Sequence, residues 1–349
     1  MRSKAAIQTS VNHPLILDEL EIPEPQPDQV VLKMLSSGIC HSQIHNMQSS
    51  RTERPMVLGH EGVGIVTKIG SQVTHLKEGD HAIVTWVPRI PVQGRPEPIP
   101  CGATYKNILV HGIVYTWAED TLAHGKYVIP ISNAYPTDIT CIVGCAILTG
   151  AGAVLNTAKV RPGDSVAIYG VGGVGLSAIK MASLLEAYPI IAVDIKDEKL
   201  EFAKDFGATH TINASNNDPI KEIIEISKGG VDYAFDAIGL KLTNEQILPS
   251  TRGGGPGADN HGGVAILIGM PGTEMTVDPG MFMFHQRQYR GSLGATYPEK
   301  DFPMFLKWYQ EGKFPLEQLV TRRYKLDDIN KACDDLVSGE ILGRAIIEY

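Results

Sequence analysis

The stretch DSVAIYGVGGVG, residues 164–175, decides the fold of the second half of the chain. Its first seven residues predict a buried strand, and GLSAIKMASLLEA at 175–187 predicts the helix that follows. The turn between them, GVGGVG at 170–175, fits G-x-G-x-x-G in the strand-to-helix position where that motif binds a dinucleotide.

Each glycine of this turn has a separate expected role. Gly170 permits the tight turn, Gly172 lets the backbone approach a pyrophosphate, and Gly175 lets the helix pack on the strand. The first N–H groups of the helix, around Gly173 and Val174, and its positive dipole end would hold the phosphates.

An acidic residue follows at the distance that a dinucleotide fold needs. Asp194 ends the next predicted strand, PIIAVDI at 189–195, and follows Gly175 by 19 residues. A carboxylate there accepts hydrogen bonds from ribose hydroxyls and repels a 2′-phosphate, which favours NAD over NADP. The alternative is an ordinary turn between strand and helix with a surface aspartate. This alternative is weaker, because the glycine motif and the spacing of Asp194 match together.

The alternation of strands and helices continues beyond this motif. Further predicted elements lie at 199–208, 220–229, 231–239 and 264–270. Such alternation is typical of a doubly wound parallel sheet of the α/β class, with helices on both faces. The glycine-heavy stretch 253–263 predicts a flexible turn before the last of these strands.

The remaining sequence shows a different pattern of predicted elements. Residues 1–150 predict a β-rich domain with short β-branched runs at 30–38, 62–70 and 81–86. The segment 86–125 predicts an irregular surface lobe, because it contains Pro88, Pro91, Pro96, Pro98 and Pro100. The C-terminal part contains two helical patterns and a closing strand, at 300–312, 327–338 and 345–349.

Length and composition restrict the possibilities further. The 349 residues suit two domains, and a net charge of −8 without a long basic run argues against nucleic-acid binding. No apolar run approaches the roughly 18–20 residues of a membrane span, and residues 1–20 lack a secretory signal pattern. With only five cysteines, we expect a cytoplasmic protein without a disulfide framework, not associated with membranes.

Cysteine and histidine residues are dispersed along the first half. Cys40 lies in GICHSQIH, His60 in GHEGVGIV and Cys145 in GCAILTG. Thiolate and imidazole suit zinc, but separations of 20 and 85 residues are not those of a zinc finger. Spacing alone favours three unrelated side chains, two of them buried thiols.

Taken together with the glycine turn, these segments resemble the zinc-dependent medium-chain alcohol dehydrogenases. The resemblance includes GICHS, GHEGVGIV, the Gly-Asp pair at 79–80, GCAILTGAGAV, GVGGVG, AVDI and the closing LVSGEILGRAII. It implies a GroES-like β-rich catalytic domain at 1–146 and 294–349, with an atypical lobe at 86–125, and a Rossmann NAD-binding domain at 147–293.

The resemblance also implies the chemistry. Cys40, His60 and Cys145 would hold a catalytic zinc, with Glu61 as a nearby carboxylate that can approach the metal. Three protein ligands leave a position for an alcohol, whose hydride goes to NAD and whose carbonyl product is an aldehyde or ketone. The proton of the alcohol would leave through the Ser42 hydroxyl. A histidine suits the last step, in which the proton passes to water. That histidine would be His45, on the same helical face as Ser42 if 40–48 is helical.

Further positions carry over from the resemblance. Thr149 would approach the nicotinamide, Lys199 the adenosine ribose, and His41 and Arg344 the pyrophosphate, whereas Trp86 would form a wall of the substrate pocket. Each could instead serve only packing or surface charge.

The chain also departs from the family pattern. The lobe has only Cys101 where many members have four cysteines for a structural zinc, so we expect one zinc per chain. Tyr115 and Trp117 would stabilise the lobe instead. Gln43 stands where the family usually has an aspartate that contacts the zinc-bound histidine, so the metal would be tuned differently.

The sequence therefore predicts a zinc- and NAD-dependent alcohol dehydrogenase that forms a homodimer or homotetramer. Alternatives are a dehydrogenase of thiol adducts of formaldehyde, an enzyme that keeps NAD permanently bound, a zinc-free quinone or enoyl reductase, and a non-catalytic nucleotide-binding protein. The intact cysteine and histidine set argues against the zinc-free reductases. The sequence does not specify the alcohol.

Overall fold

The computed structural model describes residues 1–50, 53–94, 100–272 and 274–349. It divides into two compact units. Unit 1 comprises Met1–Cys145 and Tyr297–Tyr349, and unit 2 comprises Ala146–Thr296.

Strands outnumber α-helices among the described elements of unit 1, and strands alternate with helices in unit 2. The strands are β1 Arg2–Gln8, β2 Ile16–Glu21, β3 Gln29–Ile39, β4 Met56–Val57, β5 Gly62–Ile69, β6 His81–Val84, β7 Thr104–Tyr105, β8 Ile108–Leu109, β9 Asp120–His124, β10 Val128–Ile131, β11 Val166–Tyr169, β12 Ile190–Asp194, β13 His210–Asn213, β14 Tyr233–Asp236, β15 Val264–Leu267, β16 Gln288–Gly291, β17 Val320–Tyr324 and β18 Arg344–Glu348. The α-helices are α1 His41–Gln48, α2 Thr137–Thr140, α3 Ala146–Gly152, α4 Gly173–Leu184, α5 Asp197–Asp205, α6 Pro219–Ser227, α7 Lys241–Ile247, α8 Gly280–Met283, α9 Pro298–Gln310, α10 Leu316–Leu319 and α11 Ile329–Val337.

Unit 2 is built on a six-stranded sheet in the order β13-β12-β11-β14-β15-β16. All its pairs are parallel, as the alternating pattern predicts. This order is that of a Rossmann fold, in which the strand order reverses beside the first strand. The predicted doubly wound α/β sheet is therefore confirmed. The carboxyl ends of β11, β12 and β14 meet at the reversal point, where such folds bind their ligands.

Unit 1 has two sheets, one of five strands and one of seven. In the larger sheet, the long strand β3 pairs with β5, with β9 and with β18. The closing strand β18 thus joins the centre of a sheet made by the N-terminal residues. This arrangement is the predicted GroES-like, β-rich domain.

The lobe is more ordered than its prolines suggest. The segment 86–125 contains the short strands β7 and β8, and also β9, which is a member of the large sheet. The prolines all precede residue 101, so they do not prevent strands after it. The prediction of an irregular segment was therefore wrong for its second half, and Pro96 and Pro98 lie outside the described residues.

Aromatic packing holds the described part of the lobe. Tyr115 is fully buried with Cys101 in one apolar cluster, and its hydroxyl accepts a hydrogen bond from the backbone N–H of Leu122 at 3.1 Å. Trp117 is also fully buried, and its Nε1 donates to the carbonyl oxygen of Gly38 at 3.1 Å. These contacts connect the lobe to the strand that leads into the site described below.

The glycine-rich stretch 253–263 is tied to a neighbouring segment of unit 2. The N–H of Gly254 donates to the carbonyl of His285 at 2.6 Å, and the N–H of Gly262 donates to that of Gln286 at 3.0 Å. A Cβ on Gly262 would lie 2.4 Å from the His285 carbonyl oxygen, so the close approach requires glycine. The glycines therefore serve backbone packing rather than a free turn.

In the described part of the chain, no single helix has the length and apolarity to cross a membrane. One bent pair, Thr137–Gly144 with Ala146–Ala158, satisfies those two criteria together.

Candidate zinc and cofactor sites

The first ligand residue lies where the longest strand turns into a short helix. Cys40 is the N-cap residue of α1 and follows the end of β3 directly. Ile44 packs the helix into an apolar cluster of unit 1. At the other end, the Arg54 guanidinium donates to the carbonyl oxygens of Asn46 and Met47 at 3.1 and 3.2 Å. The N–H of the C-cap residue Ser49 also donates to the Asn46 carbonyl, at 3.3 Å, so Arg54 and the cap together anchor the C-terminal end of the helix.

The second ligand residue, His60, precedes β5 in a sharply bent loop. Gly59 has a φ of +88°, and a Cβ on it would lie 2.3 Å from the Thr116 hydroxyl oxygen, so glycine is required there. The N–H of Gly38 donates to the carbonyl of Glu61 at 3.1 Å, which joins this loop to β3. The pairing of β3 with β5 thereby brings His60 to Cys40.

The third ligand residue follows a 3-10 turn, Cys141–Gly144. Thr85, just after β6, donates its hydroxyl proton to the carbonyl of Gly144 at 2.6 Å. A Cβ on Gly144 would lie 2.7 Å from the Val84 carbonyl oxygen, so the turn packs directly on the sheet. Sheet packing therefore delivers Cys145 to a site that sequence spacing alone did not suggest.

The three donor atoms converge. Sγ of Cys40, Sγ of Cys145 and a ring nitrogen of His60 all lie within 4.8 Å of one another. The two sulfurs are 3.9 Å apart, and Nε2 of His60 is 3.0 Å from Sγ of Cys145. Tetrahedral zinc with ordinary bond lengths needs donors roughly 3.5–3.8 Å apart, so these residues fit zinc.

The electrostatics of the site favour a thiolate. A hydrogen bond from the Cys145 thiol holds the pKa of Cys40 well below its usual range, with help from the positive charge of Arg344, although burial acts the other way. The Ser42 hydroxyl also donates to Sγ of Cys40 at 3.3 Å. Thiolate is the form that binds metal.

The side chain that departs from the family pattern contacts a ligand. Gln43 is buried in α1, and its amide nitrogen contacts Nδ1 of His60. Its amide oxygen accepts a hydrogen bond from the N–H of Gly59 at 2.6 Å. Gln43 therefore takes the contact to the histidine that the family gives to an aspartate.

Glu61 and Arg344, which the resemblance assigns to metal and pyrophosphate, form an ion pair with each other. Both are buried, the Glu61 carboxylate completely. β18 pairs with β3 so that Ala345 lies opposite Ile39, which places Arg344 beside the ligand Cys40. Among the described residues, the group of converging metal donors contains the two cysteines and the histidine but not Glu61.

The other predicted residues of unit 1 lie around this centre. His41 and His45 are exposed on α1, with ring centroids 5.6 Å apart. Trp86 meets His60 edge to face, with centroids 6.5 Å apart. The structure thus brings the predicted pocket wall to a zinc ligand and leaves His45 at the surface.

The cofactor turn in unit 2 has the geometry that its motif requires. Gly170 has a φ of +92°, and a Cβ on Gly175 would lie 1.8 Å from the Gly170 carbonyl oxygen. A Cβ on Gly172 would meet nothing within 4 Å. Gly175 is thus needed for packing, whereas Gly172 faces open space at the start of α4, which is the expected seat of a phosphate.

Asp194 lies at the carboxyl end of β12 beside this turn. Its carboxylate accepts hydrogen bonds from the N–H groups of Val171 at 2.8 Å and of Ile195 at 2.8 Å. Lys199 lies half-buried in α5, the helix that follows. These contacts hold the acidic group next to the glycine turn, as a ribose partner requires.

Thr149, which the resemblance assigns to the nicotinamide, has a polar atom without a partner. The hydroxyl of Thr149 is buried and has no hydrogen-bond partner among the described residues, as expected of a group that awaits a ligand.

Two apolar residues outside the predicted set, Ile195 and Ile238, lie near the cofactor turn. They are 64% and 38% exposed just beyond β12 and β14, the two strands that flank β11. The signal for them in the sequence was an isoleucine one or two residues after the aspartate that ends each strand.

Comparison with known proteins agrees with this geometry. Residues 26–133 match the alcohol dehydrogenase GroES-like domain, and residues 173–311 match the zinc-binding dehydrogenase domain. Alcohol dehydrogenase 1 of Pisum sativum is 32% identical and aligns with 100% of this chain and 97% of its own. The chain belongs to the zinc-dependent medium-chain alcohol dehydrogenase family. The predicted family and enzyme class are therefore confirmed, with zinc and NAD as the cofactors.

Two further relatives cover this alcohol dehydrogenase completely. The S-(hydroxymethyl)glutathione dehydrogenase of Paracoccus denitrificans is 30% identical over 100% of both chains. The solved structure of benzyl alcohol dehydrogenase from Acinetobacter calcoaceticus is 32% identical, covers 100% of this chain and 99% of its own, and superposes with a TM-score of 0.90.

Proposed function

We propose that this alcohol dehydrogenase oxidises a small-molecule alcohol to an aldehyde or ketone with NAD, using zinc held by Cys40, His60 and Cys145. The convergence of two thiols and an imidazole within 4.8 Å carries this proposal. When bound there, zinc supplies Lewis acidity that eases loss of the proton from an alcohol.

Ser42 is the group that we assign to receive this proton. Its hydroxyl is 3.3 Å from Sγ of Cys40, so it lies beside the substrate position. A hydroxyl that donates to sulfur keeps lone pairs with which to accept, and it can pass one proton while receiving another.

His45 is the group that we assign to release the proton to solvent. It is exposed on α1, three residues after Ser42 and therefore on the same face of that helix. An exposed imidazole can exchange its proton with water, as a final proton carrier requires.

In unit 2, the glycine turn and the start of α4 would bind the pyrophosphate of NAD. The support is the open space at Gly172 and the fixed carboxylate of Asp194, which would receive the ribose hydroxyls. We assign the adenine ring to the space between Ile195 and Ile238, because both apolar side chains are exposed beside the turn. Thr149 and Lys199 would contact the nicotinamide and the adenosine ribose.

Trp86 would form part of the substrate pocket, since it lies against the ligand His60. Its large ring would limit the alcohol's size on that side of the metal. A panel that includes ethanol, secondary alcohols, benzyl alcohol and S-(hydroxymethyl)glutathione, followed by NADH formation, identifies the substrate class.

We also propose a homodimer that forms through the edge of the unit 2 sheet. β16 is one of the two edge strands of this sheet, and nearby Met283, Phe284 and Leu293 are 77%, 70% and 83% exposed. Exposed apolar residues beside an open strand edge favour pairing with a second copy. Light scattering after gel filtration measures the mass, and a monomer at micromolar concentration would contradict this arrangement.

The zinc assignment is tested by Cys40→Ala. We expect loss of zinc and of alcohol-dependent NADH formation, while binding of NADH to unit 2 persists. Cys333→Ala is the matched control, because Cys333 is a buried cysteine of α11 and is not in the donor group. We expect one zinc per chain in the wild type. Retained turnover in the zinc-free Cys40 variant would refute the assignment.

A further inference from the structure

The amide of Gln43 faces two groups, the N–H of Gly59 and Nδ1 of His60, and only one end of the amide is an acceptor. The side chain is 4% exposed and lies between the N–H of Gly59 and Nδ1 of His60. A carboxylate in the same place would offer an oxygen to each of these groups.

The orientation of His60 decides which nitrogen must carry a proton. Nε2 faces Sγ of Cys145 at 3.0 Å, so Nε2 is the metal-facing nitrogen and Nδ1 faces Gln43. A neutral imidazole that binds zinc through Nε2 keeps its proton on Nδ1, and Nδ1 then needs an acceptor.

The structure shows the opposite arrangement. The amide oxygen of Gln43 already accepts from Gly59 at 2.6 Å, so its NH₂ group is what faces Nδ1. An NH₂ group can only donate, so this arrangement suits a His60 whose Nδ1 accepts and whose proton is on Nε2, the nitrogen that points to the metal position.

Neither partner can easily move away. Gly59 is held at a φ of +88° against Thr116, so its N–H keeps pointing at the amide. Gln43 is fixed in a helix that starts at the ligand Cys40 and is anchored at its other end by Arg54. Turning the amide over would satisfy His60 and leave the buried N–H of Gly59 facing another donor.

We propose that Gln43 is a positioning residue that favours the zinc-free tautomer of His60 and so makes the zinc of this enzyme exchangeable. The inference rests on the proposed zinc ligands. Partners of metal-bound histidines typically change metal affinity by about 10–100-fold, and we expect an effect of this size.

The test is Gln43→Glu, which keeps the length of the side chain and supplies two acceptors. We expect the Kd for zinc, measured by competition with a chromogenic chelator, to fall about 10–100-fold. Zinc loss to excess EDTA slows correspondingly. Cobalt-substituted wild type and variant should give the same thiolate absorption bands, which shows that the ligands are unchanged.

Gln48→Glu is the matched control. It adds the same charge to the same helix at an exposed position, and zinc affinity should stay within about twofold of wild type. Equal affinity of the Gln43→Glu variant and wild type overturns the inference and leaves the zinc site intact. Failure of zinc to bind to any of these proteins overturns both the inference and the proposed function.

A second measurement uses the wild type alone, in case the variant does not fold. Imidazole ¹⁵N spectra, with His60 assigned by a His60→Asn variant, report the tautomer directly. We expect the proton on Nε2 in the zinc-free protein and on Nδ1 after zinc is added. A proton on Nδ1 before zinc is added would contradict the proposal.

Discussion

The substitution Gly172→Ala separates cofactor binding from folding in this dehydrogenase. The backbone at Gly172 has φ −94° and ψ −170°, which is extended and open to alanine, and the new Cβ would meet nothing within 4 Å. We therefore expect the free energy of unfolding to change by no more than about 0.5 kcal/mol, as at an uncongested surface position.

Binding of NADH should respond strongly to the same methyl group. It would occupy the space that the pyrophosphate needs at the start of α4 and keep the phosphate from the backbone N–H groups. Hydrogen bonds to charged groups contribute about 1.5–3 kcal/mol. At about 1.4 kcal/mol per tenfold, losing one raises the Kd for NADH by roughly 10–150-fold.

Gly175→Ala provides the contrast, since the chemical change is the same and the surroundings differ. Its Cβ would lie 1.8 Å from the Gly170 carbonyl oxygen, so the strand or the helix must shift. Overpacking of this kind costs about 1–3 kcal/mol. We expect a clearly lower melting temperature for this variant.

The assay combines NADH fluorescence titration with thermal unfolding of both variants and wild type. Unchanged NADH affinity in Gly172→Ala would mean that the phosphates bind elsewhere. A lowered melting temperature in Gly172→Ala would mean that the folded backbone does not tolerate a side chain at that position.

Three further predictions concern other parts of the chain. Asp194→Ala should raise the ratio of kcat/KM for NADP to that for NAD at least about tenfold, because it removes the charge that repels a 2′-phosphate; an unchanged ratio in steady-state assays would contradict the ribose assignment. Tyr115→Phe should destabilise the protein by about 1–3 kcal/mol, since the buried N–H of Leu122 loses its partner, and urea unfolding measures this. Burial raises the pKa of Cys141 to about 12, so its thiol should resist alkylation at pH 8. Rapid labelling of Cys141 in the native protein at pH 8, mapped by mass spectrometry, would contradict this resistance. Because the unfolded thiol ionises near pH 8.5, the contribution of Cys141 to the free energy of unfolding should fall as pH rises from there towards 12.

The cofactor half was predictable because its signal is local. Strand, glycine turn and helix are contiguous over 164–187, and Asp194 follows one strand later. Each residue acts on neighbours in sequence, so hydrophobic pattern and glycine spacing suffice. The strand order around β11 then follows from the handedness of parallel crossovers.

The zinc centre was not predictable from spacing because long-range pairing assembles it. Cys40 and His60 meet only because β3 and β5 are antiparallel neighbours, with Ser37 opposite Gly62. Cys145 arrives through a turn that packs on β6. No local pattern encodes these contacts, and only the resemblance to a known family identified the set.

The ion pair of Glu61 with Arg344 was missed for the same reason. The resemblance assigns the two residues to separate contacts, with the metal and with the pyrophosphate, and no local sequence pattern links them. The closing strand β18 pairs with β3, and this brings the guanidinium to the carboxylate in a site where neither is more than 6% exposed. A buried charge needs a partner, so each residue compensates the other, and removing either alone would leave an uncompensated charge beside the metal ligands.

The short helix α1 concentrates the properties that distinguish this enzyme's site. Its first turn supplies a ligand at Cys40, the hydroxyl of Ser42 and the amide of Gln43, and its next turn carries His45 to the surface. Because Gln43 touches His60 and not the metal position, substitution at that residue alters the hydrogen bonding of one ligand while the donor set stays the same. If Gln43 acts as proposed, affinity for the metal would change with the residue at this one helical position, without change in the ligands or the fold.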